Sequence, residues 1–427
     1  MTVSRFVIRG GRRLSGELAP AGNKNAALPM LTACLLTDEP VTLRNVPMIA
    51  DVHVMLELLE LVGVDIRVEG RTVVLCARRV RRTRLDRSLC KRVRASILFA
   101  GPLLARAGRA TIPPPGGDVI GRRRVDTHLS ALRALGAKFE GGDSLRFVAR
   151  RLRGTRVLLE EASVTATENL MMAAALAEGE TTVLNAACEP HVQDLGILLA
   201  KMGARIEGLG TNRLRIEGVE RLGGAEHEIG PDYIEAGSYL AAAAVTGGEL
   251  TVRPFGDTDV QAVIGRVFSR LGITWRAEGH AVHQPAQTRL RVRRDFGGAV
   301  PKVEDGVWPM FPSDLMSVAI VLATQARGSI LFFEKLFESR MYFVDRLIEM
   351  GARIVQCDPH RVVVEGPARL NGIHMSSPDI RAGMAMLIAA LCARGESVID
   401  NAQVIDRGYE RADERLRELG ADIERVE

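Results

Sequence analysis

One helical unit occurs six times along the chain, and this repetition restricts the fold more than any other feature of the sequence. Each copy contains an amphipathic helix that ends in an apolar residue followed by glycine. The endings are LELVG, LRALG, LAKMG, FSRLG, LIEMG and LRELG, with glycine at positions 63, 136, 203, 272, 351 and 420. Successive glycines are 73, 67, 69, 79 and 69 residues apart. Glycine just after a helix is typical of a left-handed C-terminal residue, so we expect six helices to end there.

Each copy also contains a second helix and a strand upstream of that glycine. The second helices are rich in alanine and apolar on nearly every side, as in KNAALPMLTACLL and IRAGMAMLIAALCA, which is typical of buried helices. A turn and a strand follow each of them, as in EGETTVLN and RGESVIDN. The unit is too long for an ordinary solenoid repeat. We therefore predict an α/β protein of two inverse α/β barrel-like domains, each with three units, parallel buried helices inside and sheets outside.

The fourth unit begins near Pro231, and this position sets the predicted domain boundaries. One domain would comprise residues 22–230 and carry a glycine-rich loop, and the other would comprise residues 1–21 plus 231–427. The first strand, SRFVIRGG, would complete the second domain. If the buried helices of each domain run parallel, their N-terminal ends face one cleft between the domains, where we expect the active site.

Cations near the starts of the buried helices indicate an anion site. Lys24, Arg94 and Arg381 occupy positions where a cation opposes the helix dipole and does not help to form the helix. Helix N-termini combined with a fixed cation bind phosphate or carboxylate. A solvated cation is the simpler explanation of any single position, but three equivalent positions favour an anion-binding cleft. Polar residues at the other helix starts are interpreted as N-caps: Thr167, Ser313, Asp314 and Asp379.

The second unit carries an insertion that has two interpretations. It spans 28 residues from turn glycine to helix-end glycine, against 24 in the third and fourth units. The extra residues lie in TIPPPGGDVIGRRRVD, where prolines 113–115 would stiffen the stem and glycines 116, 117 and 121 would let the tip flex. Asp118 at the tip, followed by three arginines, is typical of an active-site lid. An ordinary surface loop with an Asx-turn explains the sequence equally well.

Charge and composition exclude several classes of function. The chain has 57 basic and 52 acidic residues, and the resulting charge of +5 is small for a dedicated nucleic-acid-binding protein. The arginine run from 78 to 87 lacks interleaved aromatic residues and is interpreted as a solvated surface. The apolar stretches are shorter than the roughly 20 residues that cross a bilayer, and the start lacks the apolar core of a signal peptide. Six cysteines without ligand-like spacing argue against zinc and disulfides, so we expect a cytoplasmic protein.

Eight short motifs, spread over nearly the whole chain, resemble one family. In chain order they are KNAALP, RASI, PGGDVIG, SVTATEN, FPSDL, FESR, DIRAG and IDRGYE. They are similar to the UDP-N-acetylglucosamine 1-carboxyvinyltransferase family of enolpyruvyl transferases. The resemblance implies the enolpyruvyl transferase fold, which has two inverse α/β domains of three repeats. It also implies that phosphoenolpyruvate gives its enolpyruvyl group to the 3-hydroxyl of UDP-N-acetylglucosamine, by addition and elimination, with release of phosphate. That reaction is the first committed step of peptidoglycan synthesis, which serves cell wall biogenesis and thereby cell shape and cell division.

The resemblance further implies roles for individual residues. Asp118 would protonate the enol ether, and Asp314 would accept the hydroxyl proton. Lys24 would act together with Arg94, Arg123 and Arg407 on the phosphate and carboxylate, with Arg340 and Arg381 supporting the cleft. The nucleotide sugar would contact Asp314 and five further residues: Asn25, Asp126, His128, Ser163 and Val164. No metal or organic cofactor is needed, because fixed cations stabilise the charge. We expect small-molecule partners only, no nucleic acid or membrane, and a monomer or weak homo-oligomer.

Four positions depart from the family pattern near the acceptor. Glu161 stands where Lys is usual, Thr165 replaces Gly, Arg124 replaces Pro and Tyr233 replaces Arg. An acid in place of a cation weakens diphosphate binding unless Arg124 compensates. Another nucleotide acceptor, as in nucleoside-antibiotic pathways, therefore stays open as an alternative.

The lid tip departs as well, because Asp118 stands where most members have Cys. Fosfomycin alkylates that cysteine, so we expect this chain to resist the drug. A non-catalytic ligand- or nucleic-acid-binding protein on the same scaffold is disfavoured, since binding alone requires neither Asp118 nor Asp314.

Overall fold

The computed structural model of the protein describes residues 4–118, 120–287 and 289–427. Val119, inside the PGGDVIG motif, lies outside the described residues. The described residues form thirteen α-helices: α1 Lys24–Ala33, α2 Ala50–Val62, α3 Arg87–Cys90, α4 Ala100–Ala107, α5 Asp126–Ala134, α6 Val164–Ala174, α7 Pro190–Lys201, α8 Tyr233–Val245, α9 Thr258–Arg270, α10 Met316–Gln325, α11 Val344–Glu349, α12 Ile380–Cys392 and α13 Ala412–Glu418. Short 3-10 turns at Arg94–Phe99 and Ser313–Leu315 lead directly into α4 and α10.

The strands are short and follow the helices of each unit. They are β1 Arg5–Arg9, β2 Ser15–Leu18, β3 Val41–Arg44, β4 Asp65–Glu69, β5 Thr72–Cys76, β6 Arg109–Ile112, β7 Lys138–Glu140, β8 Leu145–Val148, β9 Arg156–Leu158, β10 Glu180–Leu184, β11 Arg205–Glu207, β12 Arg213–Glu217, β13 Ala225–Glu228, β14 Glu249–Val252, β15 Arg276–Glu278, β16 Ala281–Gln284, β17 Lys302–Glu304, β18 Gly328–Phe333, β19 Arg353–Asp358, β20 Arg361–Gly366, β21 His374–Ser376, β22 Glu396–Asp400 and β23 Asp422–Val426. Within the described residues they form six sheets.

The chain divides into two units, each with its own hydrophobic core. Unit 1 comprises Met1–Ala21, Val119–Arg122 and Pro231–Glu427, and unit 2 comprises Gly22–Asp118 and Arg123–Gly230. The sequence assigned the whole insertion to the lid-bearing domain, whereas residues 120–122 belong to unit 1. The physical reason is two hydrogen bonds: Arg122 N–H donates to Glu338 Oε1 at 2.9 Å, and Ser339 N–H donates to the Ile120 carbonyl at 3.2 Å.

Three apolar helical segments form the interior of unit 2. These are α1, the segment from Arg94 through α4, and α6, in which residues 166–174 are all buried. Gly101 lets α4 lie against α6, because a Cβ at this position would be 2.4 Å from the Asn169 carbonyl oxygen. The strand orders of the surrounding sheets are β13-β3-β5-β4, β6-β8-β7 and β11-β12-β10-β9.

Unit 1 repeats the plan with α8, α10 and α12, which pack against one another. Their buried residues include every position from 233 to 244, from 316 to 324 and from 380 to 391. The strand orders of its sheets are β21-β22-β1-β23, β15-β16-β14-β2 and β17-β18-β20-β19. The N-terminal strand β1 lies between β22 and β23, where Phe6 is paired with Ile399 and Arg425.

The helix ends match the sequence prediction, and several helix starts do not. All six repeat glycines have positive φ, from 91° at Gly272 to 110° at Gly63. Of the N-caps predicted above, only Asp379 caps its helix. Thr167 lies inside α6 and its hydroxyl donates to the Ser163 carbonyl, while Ser313 and Asp314 lie in a 3-10 turn without a side-chain cap. Three other apolar helices, α1, α6 and α8, are capped by the side chains of Asn23, Ser163 and Asp232.

Candidate active site

The carboxylate of Asp314 is held between two buried arginines of unit 1. Arg340 Nη2 donates to Oδ1 at 3.0 Å, and Arg381 Nη2 donates to Oδ2 at 2.9 Å. The arginine side chains are 4% and 7% exposed, whereas that of Asp314 is 28% exposed. Charge-assisted hydrogen bonds of this kind are strong and directional. They fix the orientation of a carboxylate that solvent or a substrate can still reach.

Arg381 is itself positioned from the other side. Its guanidinium carbon lies 5.3 Å from the centre of the Tyr409 ring, whose hydroxyl is 3.0 Å from Ser238 Oγ. Burial alone would lower the pKa of Arg381, but the charge of Asp314 raises it above the ordinary value. Arg381 therefore stays charged at all working pH values.

Arg407, which the resemblance assigns to the phosphate and carboxylate, lies in the 3-10 turn Ala402–Arg407 and is half-buried. Its sequence neighbour Asp406 accepts two hydrogen bonds from Arg425, at 2.7 and 2.8 Å. Asp406 is therefore ion-paired with Arg425.

Lys24, at the start of α1 in unit 2, pairs with a buried acid that the sequence analysis missed. Lys24 Nζ lies 2.8 Å from Asp51 Oδ2, and the two residues are 7% and 4% exposed. Asp51 lies in the first turn of α2, where an acid is ordinarily explained by the helix dipole. The sequence therefore contained no separate signal for this ion pair. Asn25, the next residue of α1, is half-buried.

Arg94 and Arg123 bring two positive charges together in unit 2. Arg94 Nη2 donates to the Arg123 carbonyl, and to the Arg124 carbonyl at 3.3 Å. Burial and the charge of Arg123 lower the pKa of Arg94 to about 10. Two guanidinium groups that repel each other suit an anion that carries more than one charge.

The insertion is anchored next to Arg94 through its glycines. Gly116 N–H donates to the Cys90 carbonyl at 2.9 Å, and a Cβ on Gly116 would lie 1.8 Å from the Lys91 carbonyl oxygen. Gly117 has φ +99°, and its Cβ would lie 2.8 Å from Arg94 Cβ. These glycines permit close backbone approach, a different role from the flexibility that the sequence suggested. Asp118, half-buried, follows directly.

His128, on α5, is buried in a hydrogen-bond network with Asn169 and Thr165. Asn169 Oδ1 accepts from Gly101 N–H at 2.7 Å, and its Nδ2 donates to the Ile97 carbonyl at 2.9 Å and to His128 Nδ1 at 3.0 Å. His128 Nε2 therefore carries the proton and donates to Thr165 Oγ1 at 3.0 Å. Burial and the charge of Arg94 lower the pKa of His128 to about 3, so the ring is neutral and both nitrogens are used within the protein.

Replacing Asn169 by alanine is expected to destabilise unit 2 by about 2–4 kcal/mol, because it leaves the Gly101 N–H and the Ile97 carbonyl without their partner. Urea-induced unfolding followed by circular dichroism measures the change. The matched control is Asn371→Ala at an exposed position, which should alter the free energy of unfolding by less than about 0.5 kcal/mol. Equal effects of the two substitutions would contradict the assigned network.

The other residues that the resemblance assigns to the nucleotide sugar lie near the starts of α5 and α6. Asp126 begins α5 and makes a bidentate pair with Arg124. Ser163 caps α6 and Val164 is its first residue. Glu161 accepts a hydrogen bond from Thr127 Oγ1 at 3.3 Å.

In unit 1, Tyr233 is 4% exposed, and its ring centre lies 6.2 Å from that of Trp308. Tyr233 therefore packs as a core residue at the start of α8.

The described residues contain no helix that is both long and apolar enough to span a membrane. They also contain no group of three or more His, Cys, Asp or Glu side chains arranged to hold a metal ion.

Comparison with known proteins identifies clear relatives. Residues 8–416 match the family model of EPSP synthase (3-phosphoshikimate 1-carboxyvinyltransferase). A UDP-N-acetylglucosamine 1-carboxyvinyltransferase of Bradyrhizobium diazoefficiens is 55% identical over 427 residues, covering 100% of this chain and 99% of the relative. A protein of the same name from Treponema denticola is 52% identical, with 98% of each chain covered.

Solved structures share the fold. The enolpyruvyl transferase NikO from Streptomyces tendae has a TM-score of 0.88 at 23% identity, with 99% of each chain covered. An EPSP synthase from Acinetobacter baumannii has a TM-score of 0.77 at 17% identity, with 100% of each chain covered. At these identities the likeness concerns the fold alone, and it confirms the predicted fold class.

Proposed function

Because this chain belongs to the UDP-N-acetylglucosamine 1-carboxyvinyltransferases within the EPSP synthase family, we propose that it transfers the enolpyruvyl group of phosphoenolpyruvate to the 3-hydroxyl of UDP-N-acetylglucosamine and releases phosphate. The observation that carries the chemistry is the Asp314 carboxylate, oriented by Arg340 and Arg381 and still accessible. The acceptor rests on the name that the full-length relatives share.

The proposed reaction has two steps and uses two carboxyl groups. In the addition, Asp314 accepts the proton of the sugar 3-hydroxyl, and the hydroxyl oxygen attacks C2 of phosphoenolpyruvate. Asp118 donates a proton to C3. In the elimination, C3 loses a proton, the bond from C2 to the phosphate oxygen breaks, and phosphate leaves with that electron pair. Positioned proton transfer is worth about 10²–10⁴-fold in rate.

Phosphoenolpyruvate binding is assigned to four cations: Lys24, Arg94, Arg123 and Arg407. A phosphate or carboxylate beside Arg94 and Arg123 offsets the repulsion that lowers the pKa of Arg94. Lys24 is supported by Asp51 in a buried pair that fixes the position of its ammonium group. Holding both substrates in reacting geometry supplies up to about 7–11 kcal/mol.

The nucleotide sugar is assigned to the starts of α1, α5 and α6 in unit 2. Asn25, Asp126, Ser163 and Val164 lie at these starts, where the positive end of the helix dipole favours binding of a diphosphate. His128 contributes as a neutral ring whose nitrogens are held by Asn169 and Thr165. The same proposal makes the chain a cytoplasmic enzyme of peptidoglycan synthesis, acting as a monomer or weak homo-oligomer without nucleic acid.

Phosphate release tests the proposal and its acceptor. The purified chain is assayed with phosphoenolpyruvate together with UDP-N-acetylglucosamine, with UMP, or with shikimate 3-phosphate. We expect release with UDP-N-acetylglucosamine and negligible release with the other two. Release only with UMP or only with shikimate 3-phosphate would overturn the acceptor, and no release with any of them would overturn the enzyme function.

Fosfomycin is expected to cause no time-dependent, irreversible inactivation of the wild-type chain, because a carboxylate at position 118 is a far weaker nucleophile than a thiolate. Asp118→Cys should convert the enzyme to one that the drug inactivates progressively. Residual activity is measured after preincubation with fosfomycin and removal of free drug. Progressive inactivation of the wild type would contradict the prediction.

A further inference from the structure

Two fully buried carboxyl groups in unit 1, those of Asp305 and Glu334, lie behind Arg340 and have no part in the proposed reaction. Asp305 follows β17 and Glu334 follows β18, and these neighbouring parallel strands end at the same edge of their sheet. Both residues are 0% exposed. Arg340 Nε lies 3.9 Å from Glu334 Oε2, while its Nη2 donates to Asp314. One guanidinium group therefore connects the buried pair to the proposed base.

The hydrogen bonds around the pair leave one oxygen without a protein donor. Ser313 Oγ lies 2.8 and 3.0 Å from the two oxygens of Glu334, and Phe337 N–H donates to Oε1 at 3.2 Å. Lys335 N–H donates to Asp305 Oδ1 at 2.5 Å. Among the described residues, no N–H or hydroxyl donates to Asp305 Oδ2. A buried acceptor left in this state costs about 1–3 kcal/mol, and more when it is charged. A proton on Glu334, directed at Asp305, removes that cost.

The charges around the pair also favour one proton. Asp305 and Glu334 are two buried acids, and the cation beside Glu334, Arg340, is shared with Asp314. Burial and the neighbouring Asp305 raise the pKa of Glu334 to about 9. Other charged or titratable groups nearby are already engaged: His360 with the Glu334 carbonyl, Lys335 and Lys302 with Glu304, Asp232 with the first turn of α8, and Tyr409 with Ser238.

We propose that Asp305 and Glu334 share one proton and act as positioning residues that keep Arg340 directed at Asp314. The inference rests on the proposed role of Asp314 as the base. With the proton on Glu334, the negative charge of the pair lies on Asp305, and Arg340 donates to Asp314. When Glu334 loses the proton, its own carboxylate draws Arg340 towards it. Asp314 then loses one of the two donors that fix its orientation.

Substitutions of the pair have expected effects that packing alone does not produce. In Asp305→Asn, burial still raises the pKa of Glu334 but the second acid no longer does, so Glu334 ionises at lower pH than in the wild type. At a pH just below 9 the ionised Glu334 then binds Arg340, and kcat falls about 10- to 100-fold with little change in KM. In the double variant Asp305→Asn with Glu334→Gln, no charge remains to draw Arg340 away, and we expect kcat to recover to within about threefold of wild type. A purely structural role makes the double variant no better than the single one, and that result would overturn the proposal.

The pH profile gives a second readout. Wild-type kcat should fall above about pH 9, as the pair loses its proton, whereas Glu334→Gln has no such proton to lose and keeps its activity to higher pH. Glu304→Gln, next to Asp305 in sequence but ion-paired with Lys302 and Lys335, is the matched control and should keep the wild-type profile. An unchanged alkaline limb in Glu334→Gln would count against the shared proton.

Infrared spectroscopy separates this inference from the proposed function. The wild type at neutral pH should show a protonated-carboxyl C=O band that Glu334→Gln lacks, while Glu304→Gln retains it. Absence of the band from the wild-type minus Glu334→Gln difference spectrum would refute the shared proton even in an active enzyme. A wild type with this band but without phosphate release would refute the proposed function and leave the shared proton standing.

Discussion

Asp314→Asn is expected to lower kcat by about 10²–10⁴-fold, because it removes the group that accepts the hydroxyl proton. The amide has nearly the same shape as the carboxylate but offers one acceptor atom instead of two. Arg340 and Arg381 both donate to the carboxylate in the wild type, so one of them would face an N–H₂ group in the variant. Steady-state kinetics with phosphoenolpyruvate and UDP-N-acetylglucosamine measure the loss, which should fall mainly on kcat and not on either KM.

The matched control for this substitution is Asp358→Asn, at an acid of the same unit that pairs with Arg361 on the surface. It should change kcat by less than about twofold, since exposed ion pairs contribute little. If Asp314→Asn keeps more than about a tenth of the wild-type kcat, Asp314 is not the group that accepts the hydroxyl proton.

The repeat architecture was predictable because it depends on local signals. Apolar residues around the whole circumference of a helix require burial, and a glycine such as Gly63 permits the left-handed residue at which a helix ends. The N-caps were harder to predict. Thr167 resembles a cap in sequence, but α6 begins one turn earlier, at Val164, and Ser163 takes the cap position. Several polar residues compete for one helix start, and the turn that precedes the helix decides among them.

The sequence predicted individual residues of the site but not the residues that they contact. Lys24 was identified by its position at a helix start and Arg340 through the resemblance, but their partners Asp51 and Glu334 were not identified. Asp305 and Glu334 are 29 positions apart and meet only because β17 and β18 are paired strands. Pairing of this kind depends on tertiary structure, and no local pattern around either residue indicates it.

Asp118→Asn is expected to lower kcat by about 10²–10⁴-fold, because an amide cannot donate the proton that C3 of phosphoenolpyruvate receives. Asp118 follows Gly117, whose backbone lies against Arg94, so the acid belongs to the same loop as the proposed anion site. The close backbone contacts of the loop are made at Gly116 and Gly117, and Asp118→Asn leaves both glycines in place, so we expect KM for phosphoenolpyruvate to change much less than kcat. Steady-state kinetics and single-turnover formation of the enolpyruvyl product measure the two effects separately.

Two further variants decide whether position 118 acts by proton transfer. Asp118→Cys should retain activity and keep it to higher pH than the wild type, because a thiol ordinarily holds its proton to higher pH than a carboxyl group. Asp143→Asn, at an exposed acid of another loop in unit 2, is the control and should leave kcat and the pH profile unchanged. If Asp118→Asn turns over as fast as the wild type, the proton to C3 comes from another group. If Asp118→Cys instead has the wild-type pH profile, the acid that sets the profile lies elsewhere.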